Sequence, residues 1–232
     1  MSVSLVGGFS GIVFDAYGTL FDVAAIETAC IAVTEDPARL AALWRAKQLE
    51  YSFLRTAIDR YADWGQITSD ALDYAATFLH IDLAPRERRE LLHAWDSLPA
   101  FPDVQPALER LQAAGVRMAI LSNGSLRMLE RLVRTNGLHT YFVDILSSEH
   151  VQTFKPDAAL YALAPDRFHS RVYELLFVSS NGFDVAGSKA FGYTVCRVDR
   201  LRQPMDALGL EPDITISNLA ELADLLLSAN DD

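Results

Sequence analysis

"GIVFDAYGTLFDV", residues 11–23, is the stretch from which the rest of the chain is read. Gly11 to Phe14 are short and apolar enough for a fully buried strand. The strand runs into Asp15, and a turn bearing Gly18 comes next. A second aspartate comes at Asp22, but two residues after Asp15 the chain has Tyr17. One carboxylate thus closes an apolar strand, and an aromatic stands where another carboxylate could have been.

The same unit recurs downstream. "VRMAILSN" (116–123) reads as a second strand, preceded by a helix in "DVQPALERLQAAG" with Pro106 near its start and Gly115 as its C′ residue. Ser125 is placed to cap the next helix, "LRMLERLVRTNG", which ends at Gly137. "YFVDILSS" is a third strand, "DAALYALA" a helix and "ELLFVSSN" a fourth strand. A helix around Val185 to Phe191, the strand "YTVCRV" and a sixth strand in "DITIS" complete the alternation. Asn218, with Glu221 three residues on, forms a capping-box pattern for the last helix. Short apolar strands alternating with helices predict an α/β fold with a parallel sheet covered on both faces. Ligands of such sheets bind at the carboxyl ends of the strands. Asp15, Ser122, Asn123, Lys155 of "KPD", Ser179, Asn181 and Asp184 all fall at or just beyond those ends.

Residues 23–99 lack this alternation. "ARLAALWRAKQLEYSFLRTAIDRYADW", "ITSDALDYAATFLH" and "ERRELLHAW" place Leu, Ala and aromatics at helical spacing. They predict a helical cap inserted after strand one, with "SLPAFPDV" as the return linker. The expected domains are a Rossmann-like core of residues 1–22 and 100–232 and a cap of residues 23–99.

The totals set limits. The chain of 232 residues carries a formal charge of −11, so the basic face of a nucleic-acid binder is not expected. Half of the residues are apolar, enough for a sizeable core, yet no apolar run is long enough to span a bilayer. "MSVSLVGGFSG" lacks the charged n-region and apolar core of a secretory signal. Cys30 and Cys196 are far apart and belong to no metal-ligand pattern. A cytoplasmic protein with no membrane partner is the expectation.

"FDAYGTLFD", "LSNGS", "KPD" and "FVSSNGFD", in this order, resemble the haloacid dehalogenase superfamily over nearly the whole chain. "LWRAKQLEYSFLR" narrows the resemblance to the L-2-haloacid dehalogenases. That resemblance implies Asp15 as a nucleophile that forms an ester later opened by water. The phosphatases of the superfamily carry a second Asp at the place of Tyr17, where it protonates an alkoxide leaving group. A halide ion needs no such proton, and Tyr17 can instead wall an apolar pocket. "SSNGFD" offers only Asp184 where the phosphatases often have adjacent acids, so neither a catalytic metal nor another cofactor is expected.

A substrate carboxylate beside Asp15 needs a counter-charge. Two like charges about 4 Å apart repel by roughly 4 kcal/mol at an effective dielectric of 20. Lys155 is the natural candidate. The resemblance further implies Ser122 and the backbone N–H groups around Ala16, Tyr17 and Asn123 as the carboxylate cradle. It implies Arg45, Asn123 and Phe183 as the halide site, and Leu49, Trp64 and Tyr161 as the apolar wall. Thr19, Ser179, Asn181 and Asp184 complete the catalytic set, with Asp184 orienting Lys155 and helping to activate water. Either of these two could be the effective base.

The implied reaction is hydrolysis of short L-2-haloalkanoates to D-2-hydroxy acids with inversion at C2, the partners being a haloacid and the released halide. A haloacetate- or fluoroacetate-preferring enzyme of the same family and a phosphatase of the superfamily remain open, as does a silent binder of carboxylates. The resemblance also implies a homodimer with the cap at its interface.

Overall fold

A computed structural model describes residues 8–228 of the chain. The first seven residues of the stretch read as carrying no secretory signal lie outside this range. The first strand, β1 (Gly11–Phe14), is buried at every position. Five helices come before the next strand, and the first four form the insertion: α1 (Ala25–Cys30), α2 (Pro37–Ala57), α3 (Trp64–Phe78) and α4 (Pro85–Ala94). The alternating part comprises α5 (Val104–Ala113), β2 (Met118–Ser122), α6 (Leu126–Thr135), β3 (Asp144–Ser147), α7 (Ala158–Phe168), β4 (Leu175–Ser179), α8 (Gly182–Phe191), β5 (Thr194–Val198), β6 (Ile214–Ile216) and α9 (Leu219–Ser228).

The strands form one sheet in the order β3-β2-β1-β4-β5-β6. Every pairing is parallel. Side chains alternate between faces, as the strand period requires. Ile12, Phe14, Ile120, Leu176 and Val178 pack with α5, α6 and α9. Val13, Ala119, Leu121, Phe177 and Val195 pack with α7 and α8. The expected two-faced α/β sheet is what the chain builds.

The sheet grows from β1 in one direction through β2 and β3, then restarts on the other side with β4. This reversal of strand order opens a crevice at the carboxyl ends of β1 and β4. The four inserted helices leave and return at that same edge. Asp22 N donates to Pro99 O at 2.8 Å, and Phe101 N to Leu20 O at 3.0 Å. The outgoing and returning chains are therefore zipped together at the base of the insertion.

Local expectations were met unevenly. Gly115 and Gly137 follow α5 and α6 with φ of +80° and +70°, the left-handed residues that close a helix. Ser125 does occupy the N-cap of α6, but its side chain makes no capping bond. Asn218 Oδ1 accepts from Glu221 N at 3.1 Å, while the Glu221 carboxylate reaches back to Ser217 N rather than to Asn218 N. The box is thus displaced by one residue.

Gly11 has a packing reason. A Cβ there would lie 2.1 Å from a ring carbon of Phe168. Gly11→Ala should therefore destabilise the fold by about 1–3 kcal/mol, the usual penalty for overpacking a core. Urea unfolding should show the lower midpoint with an unchanged m-value.

Candidate active site

Three charged groups meet at the crevice. Lys155 Nζ donates to Asp15 Oδ1 at 3.0 Å and to Asp184 Oδ2 at 2.9 Å. Asp184 is 0% exposed, Lys155 1% and Asp15 6%. Asp15 immediately follows β1, and its N–H donates to Val178 O on β4. Lys155 comes from the segment after β3, and Asp184 from the first turn of α8. Asn181 is the N-cap of α8.

Each carboxylate oxygen that Lys155 does not contact also has a donor. Thr19 Oγ1 and Asn181 Nδ2 both donate to Asp15 Oδ2 at 2.8 Å. Tyr161 OH donates to Asp184 Oδ1 at 2.8 Å. Burial pushes the Asp184 carboxyl up to about 6; the ammonium of Lys155 opposes this and the charge of Asp15 adds to it. Burial works against the charge on Lys155, but Asp15 and Asp184 outweigh it and hold the ammonium above the ordinary lysine range. One cation between two carboxylates leaves the trio with a net negative charge. Such a group can present an oriented carboxylate, Asp15, next to a second carboxylate, Asp184, able to take up a proton.

The supporting residues order this core. Asn123 Oδ1 accepts from Lys155 N at 2.8 Å, which turns the Asn123 amide N–H groups away from Lys155. Ser179 Oγ accepts from Asn181 N, and Ser122 Oγ from Gly124 N, both at 3.2 Å. The N–H groups of Ala16, Tyr17 and Asn123 have no backbone acceptor among the described residues. They are free to hold an anion.

The inserted helices roof the crevice. Arg45 on α2 is half-buried, its guanidinium 5.7 Å from the Trp95 ring. Burial lowers Arg45 to about 10, while the negative charge of Asp15 works in the opposite direction. Trp64 stacks on Tyr17 with ring centroids 6.0 Å apart. Leu49 packs against the same apolar cluster. Phe183, on α8, meets Phe53 of α2 edge-to-face at 5.1 Å. Tyr161 stands apart from this roof: it is fully buried with Phe177, Phe191 and Tyr193 around it, and serves Asp184 from behind.

Several contributors were not singled out in the sequence. Gln48 Oε1 accepts from Arg45 Nη1 at 2.6 Å, and Gln48 Nε2 donates to Thr68 Oγ1 at 2.7 Å, tying Arg45 to α3. Gln48 lies three residues after Arg45, a spacing that shares a helix face and was the available signal. Arg200 Nη2 donates to Thr19 O at 2.9 Å, and Asp103 holds Arg200 Nη1 at 2.8 Å. Asp103 also caps α9 by accepting from Leu219 N at 2.7 Å. No local pattern joins residues 19, 103, 200 and 219. Among the described residues no group of three or more His, Cys, Asp or Glu gathers as metal ligands.

A family model for haloacid dehalogenase-like hydrolases matches residues 9–192. An (S)-2-haloacid dehalogenase of Pseudomonas putida is 42% identical over 220 residues, which is 94% of this chain and 97% of that enzyme. A haloacetate dehalogenase of a Moraxella species is 36% identical, covering 93% of this chain and 96% of its own. The structure of the L-2-haloacid dehalogenase from Xanthobacter autotrophicus with chloropropionic acid covalently bound superposes with a TM-score of 0.88. It is 35% identical and covers 94% of this chain and 98% of that one.

The raised Asp184 gives a stability signature. Its folded value near 6 lies above the ordinary aspartate value, so the folded state holds the proton more tightly. Its contribution is therefore most favourable below the unfolded pKa and is lost as pH rises from about 4 through 6. Asp103, Asp213 and Glu221 are shifted downward and contribute with the opposite sign. The difference in unfolding free energy between the wild type and Asp184→Asn isolates the effect. It should change across pH 4–6 and be flat above 7, as read by denaturant titrations at each pH.

Proposed function

The chain belongs to the haloacid dehalogenase-like hydrolases, and we propose that it hydrolyses short L-2-haloalkanoic acids to D-2-hydroxy acids through an ester on Asp15. The observation that carries this reading is the Asp15–Lys155–Asp184 trio beneath a roof that brings in Arg45. In the first step an Asp15 oxygen attacks C2 from the side opposite the halogen. The carbon–halogen electron pair leaves with the halide, and C2 inverts. The ammonium of Lys155 offsets the like-charge repulsion as a second carboxylate approaches. The free N–H groups of Ala16, Tyr17 and Asn123, with Ser122, receive the substrate carboxylate.

The leaving halide gathers charge only as the bond breaks. Donors that meet it then lower the barrier rather than merely tightening binding. Arg45 and the Asn123 amide N–H groups fill this role, with Phe183 completing the pocket. Arg45 is held to Gln48 and Thr68, so its fork is pre-positioned. Arg45→Ala should lower kcat for 2-chloropropionate by about 10²–10³, the usual effect of removing one such donor.

Water then attacks the Asp15 carbonyl carbon. Its proton passes to the Asp184–Lys155 pair and is returned to the departing hydroxy-acid oxygen. One water oxygen stays on Asp15, and C2 is not inverted a second time. The alternative first step, direct attack of water on C2, gives the same product. A single turnover in H₂¹⁸O separates the two.

The reaction needs no metal in this reading, because the ammonium of Lys155 supplies positive charge between the two carboxylates. We assign residues 1–22 and 100–232 to a core domain and residues 23–99 to the cap. A cytoplasmic homodimer is proposed as well. Exposed Leu54, Ile58, Tyr74 and Phe78 on α2 and α3 and the loop after α2 support a cap-borne interface. Sedimentation should give twice the chain mass, and a monomer would exclude the dimer.

Racemic 2-chloropropionate in EDTA tests the reaction. Only the L-substrate should disappear, with D-lactate and chloride formed in equal amounts. In H₂¹⁸O at single turnover the label should enter Asp15 before any product. Halide release that requires added magnesium would contradict the metal-free reading. Label in the product alone would exclude the ester.

A further inference from the structure

The segment that leads from β3 to Lys155 is touched by the inserted helices at several points. Thr56, at the end of α2, accepts from Phe154 N through Oγ1 at 3.3 Å. The ring of Tyr61, from the loop between α2 and α3, stacks on Phe154 with centroids 5.1 Å apart and planes 25° apart. The Tyr61 hydroxyl stands 3.5 Å from Ser148 Oγ. Phe154 is fully buried, and a second aromatic neighbour, Trp64 at 5.9 Å, also belongs to the insertion.

Both core residues met in this way lead directly to the site. Phe154 precedes Lys155 in the chain. Ser148 Oγ donates to Asn123 O at 2.8 Å, and Ser147 Oγ to Gly124 O at 2.7 Å. Asn123 Oδ1 in turn accepts from Lys155 N. One junction of the insertion is therefore coupled to the two segments that carry Lys155 and Asn123. The other ties between insertion and core, Asp22 to Pro99 and Phe101 to Leu20, lie at its base.

The coupling matters because of what a lysine is. Its ammonium rides on a flexible four-carbon stem, so the place of its backbone decides where the charge can be held. A shift at Phe154 is passed straight to that backbone. We propose that Tyr61 and Thr56 are positioning residues: docking of the α2–α3 junction on Phe154 and Ser148 sets where Lys155 and Asn123 stand for the reaction. For its kinetic consequence the inference rests on the dehalogenase reading. For its effect on Lys155 it rests on the fold alone.

The test reads both. The chain has three lysines, Lys47, Lys155 and Lys189, and of these Lys155 alone is buried. In protein labelled with ¹⁵N-lysine, exchange of the Lys155 ammonium protons with water is measured by NMR, well below the unfolding transition of each variant. Tyr61→Ala should speed that exchange about threefold to tenfold, the range that loss of one aromatic pair gives. It should also lower kcat for L-2-chloropropionate by about tenfold or more, because small misplacements of reacting groups are costly. Tyr61→Phe keeps the stacked ring and loses only a contact at the limit of hydrogen-bonding distance, so it should stay within about twofold of the wild type in both. Thr56→Val, which removes the acceptor for Phe154 N, should act in the same direction as Tyr61→Ala and serves in its place if that variant fails to fold. A variant that melts earlier but leaves either the Lys155 exchange or kcat unchanged shows a merely structural contact and overturns the inference. Failure of the wild type to release halide overturns the dehalogenase reading instead, and the lysine exchange still decides whether the junction holds Lys155.

Discussion

The ammonium of Lys155, buried between Asp15 and Asp184, is the contact on which the site depends. Taking three charges out of water is costly, and attraction offsets that cost only with good geometry and with the remaining lone pairs satisfied. Both conditions hold. The two contacts are 3.0 and 2.9 Å, and Thr19, Asn181 and Tyr161 cover the other oxygens. Removing the lysine would leave two buried carboxylates without compensation, a loss of about 3–5 kcal/mol for a pair of this kind. A site built this way cannot be approximate. A small displacement of any member leaves a charge unpaired, so the surrounding structure has to fix each one independently.

The sheet does this fixing. Buried parallel strands end in register, and the residues just beyond each strand emerge at one edge. Asp15 is pinned to the neighbouring strand through its own N–H, and Lys155 is pinned through its N–H to Asn123 at the end of β2. The turn after Asp15 is held from outside by Arg200, which binds Thr19 O while Asp103 holds Arg200. Asp103 also caps α9, so the C-terminal helix is coupled to the position of Thr19. A residue far from the crevice in sequence thereby restricts the hydroxyl that orients Asp15. Rigid placement of the carboxylate comes from hydrogen bonds distributed over several segments of the chain, not from the loop alone.

This division explains what the sequence disclosed. The sheet was legible because strands buried on both faces read as continuous apolar runs, as "GIVF" and "LLFV" do, and because Gly115 and Gly137 mark helix ends. Strand limits were less so: Val116 and Arg117 read as strand, yet β2 begins at Met118, where pairing with β1 starts. The polar residues after each strand could be named because the topology sends them to one rim. Arg45 was marked by the motif around it. Its tether through Gln48 and Thr68 was not, since that contact joins α2 to α3 and depends on how the two helices cross. Trp95 sits in an amphipathic run, and nothing local says that its indole meets Tyr17. The family pattern puts Tyr161 in a pocket wall, and only the packing of α7 reveals its hydroxyl on Asp184. Periodicity reports which face is buried. It does not report which buried polar atoms find one another across distant parts of the chain.

The overall charge sharpens the point. With 31 acidic against 20 basic side chains, the chain carries a field that opposes an anionic substrate. That field is screened over a Debye length of about 8 Å at physiological salt. Contacts inside the crevice are not screened in this way, because water and counter-ions are excluded from them. Lys155 at 1% exposure and the guanidinium of Arg45, set against Trp95, therefore act at full strength over a few ångströms while the acidic surface acts weakly over many. The net charge and the local chemistry can have opposite signs without conflict. An acidic protein can handle two anions, a carboxylate and a departing halide, provided that its few cations at the site are sheltered from bulk water and held in place before the substrate arrives.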